Sequence, residues 1–147
     1  MDVICIAPLP PGTRLAIPRA VTSHFVAIGG ETVITELVER FYHHMDTLPE
    51  ARQIRALHPA DLSSVKDVFA RFLVEWMGGP TLYSSERGHP RLRRRHLPFP
   101  IAAVERDAWM SCMRLALGEV VPSAPLRTEL EAAFYRTADF MRNQEQQ

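Results

Sequence analysis

The chain is 147 residues long, 46% hydrophobic and 23% charged, and its 17 basic and 17 acidic side chains cancel. Such a composition excludes a disordered or collagen-like chain, and the length suits one domain that buries a core without a disulfide or metal staple. A neutral balance offers no long-range field to gather nucleic acid or anionic lipid, and no apolar run approaches the roughly 18–20 residues needed to cross a membrane. Cys5 and Cys112 lie far apart with no metal-ligand spacing, and the first residues lack the basic and apolar regions of a signal peptide. A reduced, cytoplasmic setting is therefore expected.

Residues 1–21 hold Pro8, Pro10, Pro11 and Pro18 with no helical period, which predicts an irregular arm ahead of a domain over 22–147. After Gly29-Gly30 the spacing of Val33, Ile34, Leu37, Val38, Phe41, Tyr42 and Met45 predicts a helix over 31–46. Pro49 opens a short segment that ends at Leu57, before Pro59. Asp61 or Ser63 is expected to cap a helix over 62–77, whose apolar face holds Leu62, Val65, Phe69, Phe72, Leu73 and Trp76. Gly78-Gly79-Pro80 stops it.

Between 81 and 100, Gly88, Pro90, Pro98 and Pro100 leave room for a loop with one short helix near 91–96. A helix carrying Val104, Ala108, Trp109, Cys112, Met113 and Ala116 then runs from Ile101 to about Gly118. Past Pro122 and Pro125 a last one presents Leu126, Leu130, Ala133, Phe134 and Thr137. No segment alternates with period two for long, so the fold class is all-α with four substantial helices. A regular bundle has no place for roughly 20 irregular residues in its middle, and loops of that length are commonly functional.

That loop-rich stretch is also the densest in chemistry: Arg87-Gly88-His89-Pro90-Arg91-Leu92-Arg93-Arg94-Arg95-His96-Leu97-Pro98-Phe99. As a basic run it suits nucleic acid, but the neutral chain and the missing aromatic platform oppose that use. His89 and His96 as a metal pair conflict with Pro90, which disfavours a continuous helix, and no further ligands cluster there. The third reading makes His96 the lone axial ligand of a heme, with nearby arginines pairing the propionates. Taken on spacing alone, a single histidine on a short helix is more often structural than a ligand.

The ordered series Gly78-Gly79-Pro80, Tyr83-Ser84, Arg87-Gly88-His89-Pro90-Arg91-Leu92-Arg93, Arg95-His96, Pro98-Phe99, Ile101 and Glu105-Arg106-Asp107-Ala108-Trp109 with Cys112-Met113 resembles the group II truncated hemoglobins. Ile28-Gly29-Gly30-Glu31 and Arg40-Phe41-Tyr42 resemble the start of the same family, so the likeness spans roughly residues 25–142. It implies a two-over-two helical sandwich around heme b, pairing the helix at 31–46 with that at 62–77 and 101–118 with 124–142. The family's proximal histidine falls on His96, with Arg93, Arg95, Phe69, Phe72, Tyr83 and Phe99 around the cofactor. His89 is expected to be structural. On the ligand side the resemblance implies Tyr42 and Trp109, while His58 stands where the family usually carries tyrosine or phenylalanine.

Val65 and Phe69 make the helix above the ligand bulky. Val68 occupies a position where a basic propionate partner is common, which shifts that task toward Arg93 and Arg95, with Lys66 a weaker candidate. The implied activity is binding of O₂, CO and NO, with reactive oxygen or nitrogen chemistry such as NO dioxygenation, peroxide use or peroxynitrite isomerisation. Electrons would come from a separate reductase, since no flavin or nicotinamide fingerprint is present. Tyr42 or His58 is a further candidate to coordinate ferric iron when no external ligand is bound. A monomer or homodimer is expected. The rivals are a cofactor-free helical interaction module and a heme-based sensor.

Overall fold

The computed structural model describes residues 23–145, and every regular element among them is helical. The proline-rich arm expected at 1–21 lies outside the described residues. Eight α-helices follow in order: α1 (His24–Ile28), α2 (Glu31–Thr47), α3 (Arg52–Ala56), α4 (Ser63–Trp76), α5 (Ser84–Arg87), α6 (Leu92–His96), α7 (Ala103–Val120) and α8 (Ala124–Phe140), with a 3₁₀ turn at Pro49–Ala51 before α3.

The four long helices are those the apolar spacing predicts. Ile34, Leu37, Val38, Phe41, Tyr42 and Met45 form the buried stripe of α2, which packs against α4 and crosses α7. In turn α7 buries Met110, Cys112, Met113, Ala116 and Leu117 and packs on α8, whose Leu130 and Phe134 point inward. Two helix pairs laid across each other through α2 and α7 make the two-over-two sandwich. On α4, Val65, Phe69, Phe72 and Trp76 share the apolar face but stay only partly buried, because they border a cavity rather than another helix.

Four details differ from the sequence reading. The short α1 has too few residues for a period, yet Ser23 Oγ accepts the Val26 N–H at 3.2 Å and Phe25 N–H donates to Met77 O at 2.9 Å, which holds it on the end of α4. Glycine is needed at that contact: a Cβ at Gly79 would sit 2.7 Å from the Phe25 ring, and Gly78 has a φ of +98°. Also unforeseen is α5, where the Glu75 carboxylate accepts the Ser84 N–H at 2.8 Å as well as its hydroxyl; these bonds hold the Glu75 pKa below the usual range. At the start of α4 the N-cap position falls to Leu62, and Asp61 Oδ1 reaches past it to accept from Ser63 N at 2.9 Å. Finally, α7 runs through Gly118 to Val120 instead of closing there.

Candidate functional site

A cavity of about 520 Å³ opens between α4 and the segment carrying α6, reaching α2, α7 and α8, a volume suited to a small-molecule cofactor. Its walls are largely apolar, with Val65, Phe69, Phe72 and Trp76 supplied by α4 and Phe134 by α8. Trp76 stacks on Phe134 at 4.7 Å between centroids, and Phe41, Phe69 and Trp109 lean on one another at 5.0–6.4 Å, so the apolar shell is braced by aromatic contacts.

His96 lines this cavity from the end of α6. Its Nδ1 lies 2.6 Å from Leu92 O, one turn earlier. A carbonyl can only accept, so Nδ1 carries a proton, and in the neutral ring Nε2 then holds the lone pair, the tautomer a metal requires. Tyr83, 4% exposed, stands edge-on to Phe72 at 5.8 Å and lies beneath the Arg95 guanidinium at 5.8 Å. Phe99 also borders the cavity but stays 40% exposed at its mouth.

Three polar groups face the same space from elsewhere. Tyr42 on α2 is 4% exposed, and burial pushes its phenol far above the ordinary range, so the hydroxyl keeps its proton and can donate. Trp109, on α7, brings an indole N–H that no described residue accepts. His58 lies edge-on to Tyr42 at 5.8 Å, and its Nδ1 sits 2.8 Å from Ile54 O. Burial lowers the His58 pKa against the opposing bond to Ile54 O, and the positive charge of Arg55 adds to the lowering, which favours the neutral ring with Nε2 as an acceptor.

The expected cofactor cations divide. Arg95 and Arg87 line the cavity, and neither pairs with a carboxylate among the described residues. Arg93 does not line it: its Nη1 donates to Phe140 O at 2.7 Å and Arg142 O at 3.1 Å, and its guanidinium lies 5.5 Å from the Phe140 ring centroid. Lys66 is held by Glu39 at 2.9 Å in a polar groove between α2 and α4. His89 is exposed and accepts the Arg91 N–H at 3.0 Å, which supports the left-handed turn at Arg91 (φ +48°) ahead of α6. Arg87 stands inside the motif, and only its place on the cavity wall gives it a role there. Arg106 also reaches the cavity, but Asp107 and Asp139 take its guanidinium at 3.0 and 2.7 Å.

One imidazole with Nδ1 bonded to a carbonyl, a flat aromatic slot, and two donors and two guanidiniums that find no partner among the described residues fit a heme, and the helical sandwich around them is that of a truncated globin. The family model for bacterial-like globins matches residues 23–143. Group 2 truncated hemoglobin YjbI of Bacillus subtilis (strain 168) is 39% identical over 115 residues, 78% of this chain and 85% of that protein. The group II 2-on-2 hemoglobin of Agrobacterium tumefaciens superposes with a TM-score of 0.81 at 42% identity, covering 88% of this chain and all of that one. The truncated oxygen-avid haemoglobin of Bacillus subtilis gives 0.75 at 38% identity, over 83% of this chain and 100% of that one. The chain belongs to the bacterial-like globin family, among its group II truncated hemoglobins. That membership implies heme-based binding of small ligands.

Proposed function

We propose that the cavity holds heme b through His96, and that the protein binds O₂, CO and NO on the side of Tyr42, Trp109 and His58. The observation that carries this reading is the 2.6 Å contact of His96 Nδ1 with Leu92 O, which in the neutral imidazole assigns the proton to Nδ1 and turns the Nε2 lone pair to an aromatic slot. When bound, the heme supplies a ferrous iron that takes diatomic ligands and exchanges electrons.

The chain's own residues supply the rest. The bond to Leu92 O orients the imidazole and raises its basicity. Phe69 and Phe72 exclude water from the slot, which strengthens each polar contact inside it. Tyr42 O–H and Trp109 N–H would donate hydrogen bonds to a small ligand taken up in the cavity, favouring one that carries negative charge. His58 Nε2, an acceptor, is suited to a protonated ligand atom or to the Tyr42 hydroxyl. Arg95 and Arg87 take the propionates, a task for which planar guanidinium is well shaped. Retention of O₂ by two donors suits reaction more than delivery, and favours turnover of reactive oxygen or nitrogen species with electrons from a separate reductase in the cytoplasm. The relative described as oxygen-avid is in keeping with this reading.

The test is an absorption spectrum of the purified chain, ferric and then reduced under CO. An intense Soret band that shifts on adding CO is expected. Its absence even after heme is added would leave the cofactor-free interaction module as the better reading.

A further inference from the structure

His96 sits on an element that cannot hold itself in place. With five residues and none of them buried, α6 is far below the length at which an isolated helix persists. Only a few main-chain bonds brace it from within, including Arg95 N to Arg91 O at 3.0 Å and Leu97 N to Arg93 O at 3.1 Å. The orientation of the His96 ring must therefore come from anchors outside the helix.

Those anchors are the residues that follow α8. The Asn143 side chain donates through Nδ2 to His96 O at 3.2 Å and Phe99 O at 2.8 Å, while its Oδ1 accepts Ile101 N–H at 3.0 Å. The main chain joins in, with Asn143 N and Gln144 N both donating to Ile101 O at 2.9 and 3.1 Å. From the opposite direction Arg93, one turn before His96, donates to Phe140 O and Arg142 O. The segment from 93 to 101 is thus held at both ends by residues 140–144, and Asn143 reads the carbonyl of the histidine itself. Asn143 is partly buried and does not line the cavity, so contact with a cofactor does not account for this bonding.

We infer that Asn143, with Arg93, is a positioning residue for His96: the segment after α8 sets the angle and depth at which the imidazole enters the cavity. The inference rests on the heme reading above. The physical path is short. Moving the His96 main chain changes the alignment of Nδ1–H with Leu92 O, and that bond governs both the basicity of Nε2 and the plane of the ring. Amide geometry is needed at 143, because one group must donate to two carbonyls while accepting from an N–H.

The test uses the heme-loaded full chain, the native sequence beside Asn143→Ala and Asn143→Asp. The aspartate keeps the size and the Oδ1 acceptor but replaces both donors by an oxygen facing two carbonyls. The primary readout is the iron–histidine stretching band of the reduced, unligated protein by resonance Raman. That band is expected to shift or broaden in both variants and more in Asn143→Asp, with heme dissociation about tenfold faster. Thr128→Ala, on the far part of α8, should leave the band where it is. An unmoved band in Asn143→Asp overturns the inference, even if melting temperature falls, since that would make Asn143 a merely structural tie. Should Asn143→Ala fail to fold, the aspartate variant decides alone, and Arg93→Lys repeats the test from the other anchor. A native chain that takes up no heme fails the earlier reading instead, a separate outcome seen before any variant is made.

Discussion

His58 and His96 carry the same local geometry in two different walls of one cavity. Each directs Nδ1 to the carbonyl four residues earlier, Ile54 O at 2.8 Å and Leu92 O at 2.6 Å, and each follows or ends a five-residue helix close to a proline. What differs is the support around them. The His58 segment is tied locally, by Arg55 donating to Pro59 O and Ala60 O at 2.9 and 3.1 Å and to Asp46 at 2.5 Å. The His96 segment is tied by Asn143, 47 residues away. Identical side-chain chemistry therefore stands in two differently supported walls, and under the proposed function the surroundings would decide which ring takes the iron and which one meets the ligand.

The sharpest way to break the comparison is to remove each ring in turn. His96→Ala is expected to abolish or grossly perturb the Soret band, whereas His58→Ala should retain it; equal loss in both would make them joint ligands. A smaller effect is expected from Trp109→Phe. A hydrogen bond to a charged partner contributes about 1.5–3 kcal/mol, which is about a 10- to 150-fold change in an equilibrium constant. Stopped-flow measurement should show it chiefly as faster O₂ dissociation, and an unchanged rate would remove Trp109 from the ligand's surroundings.

On the other wall, Arg95→Ala should hasten heme transfer to an acceptor globin by up to about fivefold, the range of an exposed ion pair. Lys66→Ala should leave that rate alone, because Glu39 holds the ammonium. Smallest of all is a pH effect. The folded chain depresses the His58 pKa below its ordinary 6.5, so below that pH the unfolded chain binds more protons. Stability from this group thus falls on acidification and is recovered as pH rises. Urea midpoints at about pH 5 and about pH 8 should differ less in His58→Phe than in the native chain. A larger difference in the variant would reverse the sign.

The long helices were legible because burial imposes a period, as the stripe from Ile34 to Met45 shows. Motif context rather than spacing points to His96, Tyr42 and Trp109, and the structure brings all three to the lining of one cavity. The same context placed Arg93 beside the cofactor, yet neighbours in a five-residue helix point in different directions, and Arg93 is turned toward the end of α8 while Arg95 meets the cavity. Short elements escaped because α1 and α5 depend on remote partners, Met77 for one and Glu75 for the other. Asn143 gave no signal at all: its bonds go to main-chain atoms, which every residue possesses.

Those bonds also fix an order of events during synthesis. The Arg55 ties around His58 can form as soon as residue 60 has left the ribosome. At about 5–20 residues per second, the 47 residues separating His96 from Asn143 take roughly 2–9 s more to appear. The His58 wall of the pocket can thus be assembled on the nascent chain while the His96 wall waits. A heme that arrives early would meet a histidine still free to swing, and secure capture is expected only once translation has passed Asn143.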